Sequence, residues 1–356
     1  MKDVIVVGGG VIGLFCAVRL RLSGARVTVL EAEGEHASYY GPAASAAAAG
    51  MLAPIADDLS MHAAVALESF GLWREFQRGA EWADGVRFDG GVVVRRDEAE
   101  ARAFAQQAVR LGRRAAPLSA GDFRKRTGLR AKIEHALFVE DEGVCDPLRV
   151  LSGLAMQAHA LGVLREYHSD VAAVTPTRAI THDDRVYEGD VVVLAPGAWA
   201  TEKMAIAAPA LRHVRPAKGH LTIVELDRSF SPNLRAPGFY LAQRKDEVVL
   251  GATMEFDRFD RRVEPAKVQD LISAAEALLP GEVRKGERAW AGIRPMSPDG
   301  WPLIGPTGDG VLAAIGHGRE GWLLAPVTAE IIRAYVFGAE IPPRWAALSP
   351  ARFDAQ

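Results

Sequence analysis

Three glycines near the start of the chain have the spacing of a phosphate-binding turn. They are Gly8, Gly10 and Gly13 in the string GGGVIG, which follows the apolar run VIVV. Gly8 lets the chain turn off a strand, and Gly10 has no Cβ to keep a pyrophosphate away. Gly13 lets the following helix pack closely on the sheet, and the free N–H groups at the start of that helix attract phosphate. The spacing predicts a dinucleotide site that includes Val11 and Ile12.

An acidic residue follows at the position that such a motif requires. Residues 26–30 predict a second strand, and Glu31 comes directly after it. A carboxylate there can accept hydrogen bonds from both ribose hydroxyls, and it would repel a 2′-phosphate, so NADP is disfavoured. Because strand, glycines, helix, strand and acid occur in this order, the motif is more specific than the glycines alone. It does not distinguish FAD from NAD.

The later elements do not continue one uninterrupted nucleotide-binding domain. Strands that end in glycine recur far apart, at residues 190–197 and 311–316, and a helical pattern follows over residues 322–336. Between the glycine-rich start and the last of these strands lie patterns that predict further strands and surface helices, at residues 90–94, 99–111, 219–224, 247–252 and 265–279. We therefore expect an α/β fold in which a Rossmann-like domain is discontinuous and another domain is inserted into it.

An alanine-rich segment (residues 43–54, AASAAAAGMLAP) follows the first nucleotide-binding unit. Its small side chains would permit a large flat ligand to approach the backbone closely. Alanine is also the strongest helix former, so on composition alone an ordinary helix is the favoured prediction.

Three further strings accompany the glycine-rich start and the alanine-rich segment: WAGIRP at residues 290–295, SPDGWPLIG at residues 297–305 and GHGREGWLLAP at residues 316–326. Together these five strings resemble those of the D-amino-acid oxidase superfamily of FAD-dependent oxidoreductases. The resemblance spans nearly the whole chain and is greatest to the glycine oxidases of thiamine biosynthesis.

This resemblance implies FAD as the cofactor and a bipartite α+β architecture. The FAD would be bound without a covalent link, since neither Cys16 nor Cys145 lies in the C-terminal flavin segment. An FAD-binding domain would take residues 1–85, 145–215 and 286–356. An inserted substrate-binding domain with a mixed β-sheet would take residues 86–144 and 216–285.

The resemblance also implies a substrate site built around Arg294. A guanidinium can hold a carboxylate through two parallel hydrogen bonds, which would orient an amino-acid substrate. Tyr240 matches a tyrosine near the substrate carboxylate, and Met254 matches a position that lines the pocket. Arg319 could meet the substrate, or it could pair with Glu320, which stands where the family usually has asparagine.

A further set of residues is assigned to FAD by the same resemblance. The backbone of Val171 would contact the adenine, and the start of the last helix would face the flavin C2 carbonyl and favour the anionic reduced form. Trp322 could reshape the pocket, whereas Gly238 could enlarge it. The complete set of expected FAD contacts outside the first 31 residues is Ser45, Ala49, Gly50, Met51, Val171, Gly197, Trp199, Gly292, His317, Gly318, Glu320, Gly321 and Trp322.

The implied reaction is oxidation of a C–N bond, in which a hydride equivalent passes to flavin N5 and the imine is hydrolysed to the oxo acid. Glycine, sarcosine, a small D-amino acid or an imino acid could each be the substrate. Oxygen or an electron carrier would reoxidise the flavin. The alternatives are a D-amino-acid or 2-hydroxy-acid dehydrogenase that passes electrons to a carrier, and a non-catalytic flavin-binding subunit.

Composition narrows the class of protein further. The length of 356 residues suits two domains, and a net charge of −3 lacks the basic excess that nucleic-acid partners require. No run reaches the roughly 18 apolar residues of a membrane span. Two cysteines are too few for a disulfide framework or a structural zinc site, and no metal site is expected. We expect a cytoplasmic enzyme that could form a homo-oligomer.

Overall fold

The computed structural model describes residues 1–35, 41, 43–55, 62–226 and 230–353. The strands are β1 (Asp3–Val7), β2 (Arg26–Leu30), β3 (Met51–Leu52), β4 (Val86–Arg87), β5 (Gly91–Val94), β6 (Ala115–Pro117), β7 (Ala136–Val139), β8 (Gly143–Cys145), β9 (Leu164–Glu166), β10 (Val171–Thr175), β11 (Arg178–Thr181), β12 (Val186–Glu188), β13 (Val191–Leu194), β14 (Arg215–Leu226), β15 (Asn233–Ala236), β16 (Phe239–Gln243), β17 (Val248–Gly251), β18 (Glu255–Phe256), β19 (Val283–Met296), β20 (Leu303–Thr307) and β21 (Val311–Ile315).

The helices are α1 (Val11–Leu22), α2 (Ala44–Ala47), α3 (His62–Phe76), α4 (Glu98–Arg110), α5 (Ala120–Thr127), α6 (Pro147–Ala160), α7 (Glu202–Ala207), α8 (Pro265–Leu278), α9 (Gly321–Phe337) and α10 (Pro343–Ala346). The helices predicted over residues 99–111, 265–279 and 322–336 correspond to α4, α8 and α9 within one residue at each end. Among the helices of the described residues, none combines the length and the apolar character that crossing a bilayer requires.

The nucleotide-binding motif lies on a sheet of six strands in the described ranges. Their order is β20-β21-β13-β1-β2-β9, and neighbouring strands are parallel except for β20 and β21. In β1 the run VIVV is buried, and Val6 pairs with Val29 on one side and Val193 on the other. Continuous β-branched runs of this kind are typical of parallel strands that are covered on both faces.

Helices α1, α3 and α9 pack together beside this sheet. Helix α9 is buried over most of its length, and the indole N–H of Trp73 in α3 donates to the Trp322 carbonyl oxygen at 2.9 Å. The side chain of Ser69 donates to the carbonyl oxygen of Leu323 at 2.6 Å. These contacts fix the start of α9 against α3, and that start faces the site described below.

The second large sheet is mixed and carries the substrate-side residues. Among the described strands its order is β18-β14-β17-β16-β15-β5-β7-β6, and β19 pairs with β14. Strands β5 and β15 are parallel, and the other pairs are antiparallel. Strand β19 runs along β14 from Arg215↔Met296 to Leu226↔Val283, so Arg294 lies within a strand.

These sheets confirm the predicted α/β fold with a parallel, Rossmann-like sheet and a mixed sheet. The division into two domains at the stated boundaries stays a prediction. Strand β19 belongs to the mixed sheet, although most of it falls within residues 286–356, which were assigned to the FAD-binding part.

The alanine-rich segment is not the ordinary helix that its composition favours. Helix α2 covers only Ala44–Ala47, and Gly50 then adopts a φ of +83° before β3 begins. A Cβ on Gly50 would overlap the carbonyl oxygen of Cys145. The N–H of Cys145 donates to the Gly50 carbonyl oxygen at 2.8 Å. Tertiary contacts with β8 therefore override the helical propensity of the alanines.

We predict opposite effects of alanine at two helical glycines. Gly13 lies in α1, where a Cβ would overlap the carbonyl oxygen of Gly8, whereas nothing lies within 4 Å of a Cβ on exposed Gly71 in α3. Gly13→Ala should therefore reduce the free energy of unfolding by roughly 1–3 kcal/mol. Gly71→Ala should raise it by roughly 0.5–1 kcal/mol. Denaturant unfolding of the two variants measures both values, and a stabilised Gly13→Ala would contradict the packing described.

Candidate active site

A cavity of about 1150 Å³ extends from the glycine-rich turn to the mixed sheet. Its wall is formed by the turn between β1 and α1, the alanine-rich segment, the start of α9, and strands β14, β16 and β19. Sites for drug-sized ligands usually have volumes of roughly 300–1,000 Å³. The cavity therefore has room for a dinucleotide together with a small second molecule.

One end of the cavity has the shape of a phosphate cradle. Gly8 has a φ of +102°, and a Cβ there would overlap the carbonyl oxygen of Ala195 in the neighbouring strand connection. Gly10 precedes α1 without a capping side chain, and the hydroxyl of Ser45 accepts the N–H of Val11 at 3.0 Å. The first N–H groups of a helix have no partner within it, so this end of α1 suits a pyrophosphate.

The carboxylate of Glu31 holds the glycine-rich turn and also lines the cavity. Its Oε2 accepts the N–H of Gly9 at 2.7 Å, and its Oε1 accepts the N–H of Glu33 at 3.0 Å. A carboxylate has about four acceptor positions, so two bonds leave capacity for ribose hydroxyls. This donor and acceptor set fits the adenosine half of a dinucleotide.

Arg294 lies at the opposite end of the cavity, on the mixed sheet. Its Nη1 donates to the carbonyl oxygen of Thr253 at 3.1 Å and lies 3.9 Å from the sulfur of Met254. Burial lowers the pKa of Arg294, the neighbouring Tyr240 opposes that shift, and Arg319 adds to it. Within the described ranges no carboxylate forms an ion pair with Arg294, so its charge is available to an anion in the cavity.

Two glycines provide the space in which Arg294 and Tyr240 lie. A Cβ on Gly219 would overlap the Arg294 guanidinium, and a Cβ on Gly251 would lie 2.6 Å from the Tyr240 hydroxyl. Gly251 is the cross-strand partner of Tyr240. Burial raises the pKa of Tyr240, although nearby arginines oppose the shift, so its hydroxyl keeps its proton at neutral pH. The pair presents a cation and an O–H donor on one surface.

Arg319 is exposed on the cavity wall, and no ion pair joins it to Glu320 among the described residues. Burial raises the pKa of Glu320, and the charges of Arg319 and Arg235 oppose that shift. The carbonyl oxygen of Glu320 accepts the N–H of Leu324 at 2.8 Å at the start of α9. The structure therefore leaves Arg319 unpaired with its neighbour and facing the cavity.

His317 is buried at the junction between β21 and α9. The Thr328 hydroxyl donates to the Leu324 carbonyl oxygen at 2.8 Å, so it must accept from His317 Nε2, which lies 2.9 Å away. Burial lowers the pKa of His317 to about 3, so its imidazole is neutral. His317 lines the cavity with Gly316 and Gly318.

Of the two tryptophans expected to contact FAD, Trp322 is buried and Trp199 is exposed. Trp322 is 4% exposed, its indole N–H donates to the Ser45 carbonyl oxygen at 3.0 Å, and its ring stacks on Trp73. Trp199 is 41% exposed and packs edge-on against Phe259 with ring centroids 4.8 Å apart. Trp322 therefore supports the alanine-rich segment, whereas Trp199 contributes to the outer wall of the cavity.

The cavity brings together all but one of the residues predicted to act on substrate or cofactor. The exception is Gly13, which packs against the carbonyl of Gly8 behind the cavity wall. The predicted residues that line the cavity are Gly8, Gly10, Val11, Ile12, Glu31, Ser45, Ala49, Gly50, Met51, Val171, Gly197, Trp199, Tyr240, Met254, Gly292, Arg294, His317, Gly318, Arg319, Glu320, Gly321 and Trp322. Their individual roles stay predictions.

Sequence reasoning missed Gly219, Gly251 and Thr253. A glycine inside a strand pattern indicates close approach by another group. That indication was present at Gly219 and Gly251, each inside a predicted strand. Thr253 contributes only its carbonyl oxygen, which any residue could supply, so no property of its side chain identifies it.

Several known proteins are similar to this chain in sequence and in fold. The DAO family, described as FAD dependent oxidoreductase, matches residues 3–335. A glycine oxidase of Bacillus licheniformis is 30% identical over 96% of this chain and 95% of its own length. The bifunctional protein ThiO/ThiG of a Synechocystis strain is 30% identical over 99% of this chain, which spans only 54% of that protein. The crystal structure of glycine oxidase from Geobacillus kaustophilus has a TM-score of 0.87, at 26% identity and 99% coverage of both chains.

We predict that His317 contributes to the loss of stability in acid. The ordinary pKa of histidine is 6.5 and that of buried His317 is about 3, so the unfolded chain binds the extra proton between these values. The free energy of unfolding should therefore fall as pH decreases through this window, by at most about 1.4 kcal/mol per pH unit for one proton. His317→Gln should make this dependence shallower in unfolding titrations at several pH values. Equal slopes for the variant and the wild type would contradict the assignment.

Proposed function

The chain belongs to the DAO family of FAD-dependent oxidoreductases, and we propose that it oxidises the C–N bond of a small amino acid or amine. Glycine, sarcosine, a small D-amino acid or an imino acid is the proposed substrate. The product would be an imine, which water hydrolyses to the oxo acid. Relatives named glycine oxidase, which are 30% identical to this chain, support an amino-acid substrate.

One observation carries the proposal: a half-buried arginine and a tyrosine hydroxyl face the cavity at the end opposite the dinucleotide cradle. Arg294 and Tyr240 lie over Gly219 and Gly251 on adjacent strands of the mixed sheet. A guanidinium with no carboxylate partner in the described part of the chain, next to an O–H donor, suits a substrate carboxylate. A dinucleotide alone would not need this pair.

The bound FAD is proposed to be non-covalent. Neither cysteine lines the cavity, and burial raises the pKa of both the Cys16 and Cys145 thiols. A thiol in that state is a poor nucleophile for attachment to the flavin. Two free cysteines also suit the reducing environment of the cytoplasm, which is the proposed location. The oligomeric state and the electron acceptor stay predictions.

FAD supplies an acceptor for a hydride equivalent at N5 of its ring. The protein residues would orient the reacting bond. Arg294 and Tyr240 would hold the substrate carboxylate, so that the α-carbon lies toward the alanine-rich segment. Met254 would form an apolar wall beside Arg294 and limit water there. Holding two reactants in a fixed geometry is the main contribution that such a site can make.

The proposal is tested by anaerobic titration of the FAD-loaded protein. Flavin absorbance near ~450 nm would be followed while glycine, sarcosine, D-alanine, D-proline or lactate is added. We expect at least one amine to bleach the flavin and lactate to leave it oxidised. Air would then restore the colour quickly if oxygen is the acceptor. Bleaching by lactate alone, or by none of these compounds, would contradict the proposed reaction.

We predict that Arg294→Ala loses most of the activity toward the substrate found in that titration. Removing one partner of a buried charge pair costs roughly 2–5 kcal/mol, which would appear as a lower kcat/KM. FAD content should not change, because Arg294 lies at the end of the cavity away from the glycine-rich turn. Arg178→Ala, at an exposed position of strand β11, is the control and should retain wild-type kinetics. An unchanged kcat/KM in Arg294→Ala would remove this residue from the mechanism.

A further inference from the structure

Arg244 is a buried cation that does not itself line the cavity. It follows strand β16 and is 1% exposed. Its guanidinium donates to the carbonyl oxygen of Ala48 through Nη2 and approaches that of Ala49 through Nε at 3.4 Å. A guanidinium in the interior needs strong acceptors, because burial of an unpaired charge is costly. Here two of them are backbone carbonyls of the alanine-rich segment.

Two indoles hold neighbouring carbonyls of the same segment. The N–H of Trp290 donates to Ala47 O at 2.8 Å, and the N–H of Trp322 donates to Ser45 O at 3.0 Å. With Arg244, donors from three separate parts of the chain therefore reach residues 45–49. Ser45 and residues 47–49 line the cavity, so these donors fix the segment that a ligand in the cavity would touch.

Arg244 also brings charge to this region. Its Nη1 donates to Glu247 at 2.9 Å, and the same carboxylate forms a second ion pair with Arg288. Two guanidiniums thus share one carboxylate, so these three residues carry one net positive charge. Tyr240 lines the cavity, and burial raises its pKa. The positive charge of Arg244 opposes this increase.

We propose that Arg244 is a positioning residue that holds the alanine-rich segment against the flavin ring and places a fixed positive charge behind it. This inference rests on the proposed function, because it requires FAD in the cavity. The segment would then present a fixed surface to the ring. The charge would favour the reduced anionic flavin over the neutral oxidised one, since opposite charges attract strongly where water is excluded.

A purely structural arginine is the competing explanation, and the chain contains a matched example. Arg352 donates to the carbonyl oxygens of Trp301, Pro302, Leu348 and Ser349 and pairs with Asp299. It is largely buried but does not line the cavity. Arg352→Met therefore removes a similar set of bonds without touching the flavin environment.

The experiment compares Arg244→Met, Arg244→Lys and Arg352→Met. For each protein we would measure the Tm without FAD, the Kd for FAD by reconstitution, and the midpoint potential of the flavin during dithionite titration. None of these readouts requires a substrate. They therefore remain informative if no amine reduces the flavin, whereas a wild-type chain that binds no FAD would refute the proposed function itself.

We expect Arg244→Met to raise the Kd for FAD by about tenfold or more, since hydrogen bonds from a charged donor are lost. Its midpoint potential should become more negative. Arg244→Lys should recover the potential while the Kd stays raised, because an ammonium keeps the charge but not the planar fork. Arg352→Met should lower only the Tm.

The inference is overturned if Arg244→Met has the wild-type Kd and midpoint potential, whatever its Tm. If Arg244→Met does not fold, Arg244→Lys decides the matter. A raised Kd in the lysine variant supports the positioning role, and a wild-type Kd refutes it.

Discussion

The partial burial of the Arg294 guanidinium is the constraint around which the site is built. A buried cation is costly unless it is hydrogen-bonded and paired. In this chain the guanidinium donates a hydrogen bond to the Thr253 carbonyl oxygen. The absence of a Cβ on Gly219 leaves the space that the guanidinium occupies. The space depends on the pairing of β14 with β19, which brings Gly219 close to Arg294, and Thr253 follows β17, which also pairs with β14. We propose that an anion entering the cavity would satisfy this charge, and this would favour a substrate that carries a carboxylate.

At both ends of the cavity, glycines leave space that a side chain would otherwise fill. At the glycine-rich turn, a Cβ on Gly8 would overlap the carbonyl oxygen of Ala195, and a Cβ on Gly10 would lie 3.0 Å from the Ser45 hydroxyl. At the carboxylate end, Gly219 and Gly251 remove side chains so that functional groups can lie flat on a sheet. The alanine-rich segment connects these ends and has its carbonyls held by buried donors. A large planar ring between them would therefore meet a surface that is already fixed, which reduces the entropy lost on binding.

How much of this arrangement the sequence predicts depends on how far apart the interacting residues lie along the chain. The glycine-rich turn and Glu31 were found from spacing alone, because their chemistry depends on a local strand, turn and helix. Arg294 and Tyr240 were found only through resemblance, since nothing near them in the chain shows that they meet. Gly219, Gly251 and Arg244 were missed because their contacts follow from strand register and from tertiary packing. The alanine-rich segment was predicted incorrectly as an ordinary helix, since its local propensity is overridden by distant donors.

The most direct test of this account is a crystal structure of the FAD-loaded protein with acetate, a carboxylate that carries no oxidisable amine. The account predicts that the flavin ring lies against residues 45–51 and that the acetate oxygens contact Arg294 and Tyr240. Acetate bound away from this pair would contradict the carboxylate site. A flavin ring placed away from the alanine-rich segment would contradict the arrangement of the whole cavity.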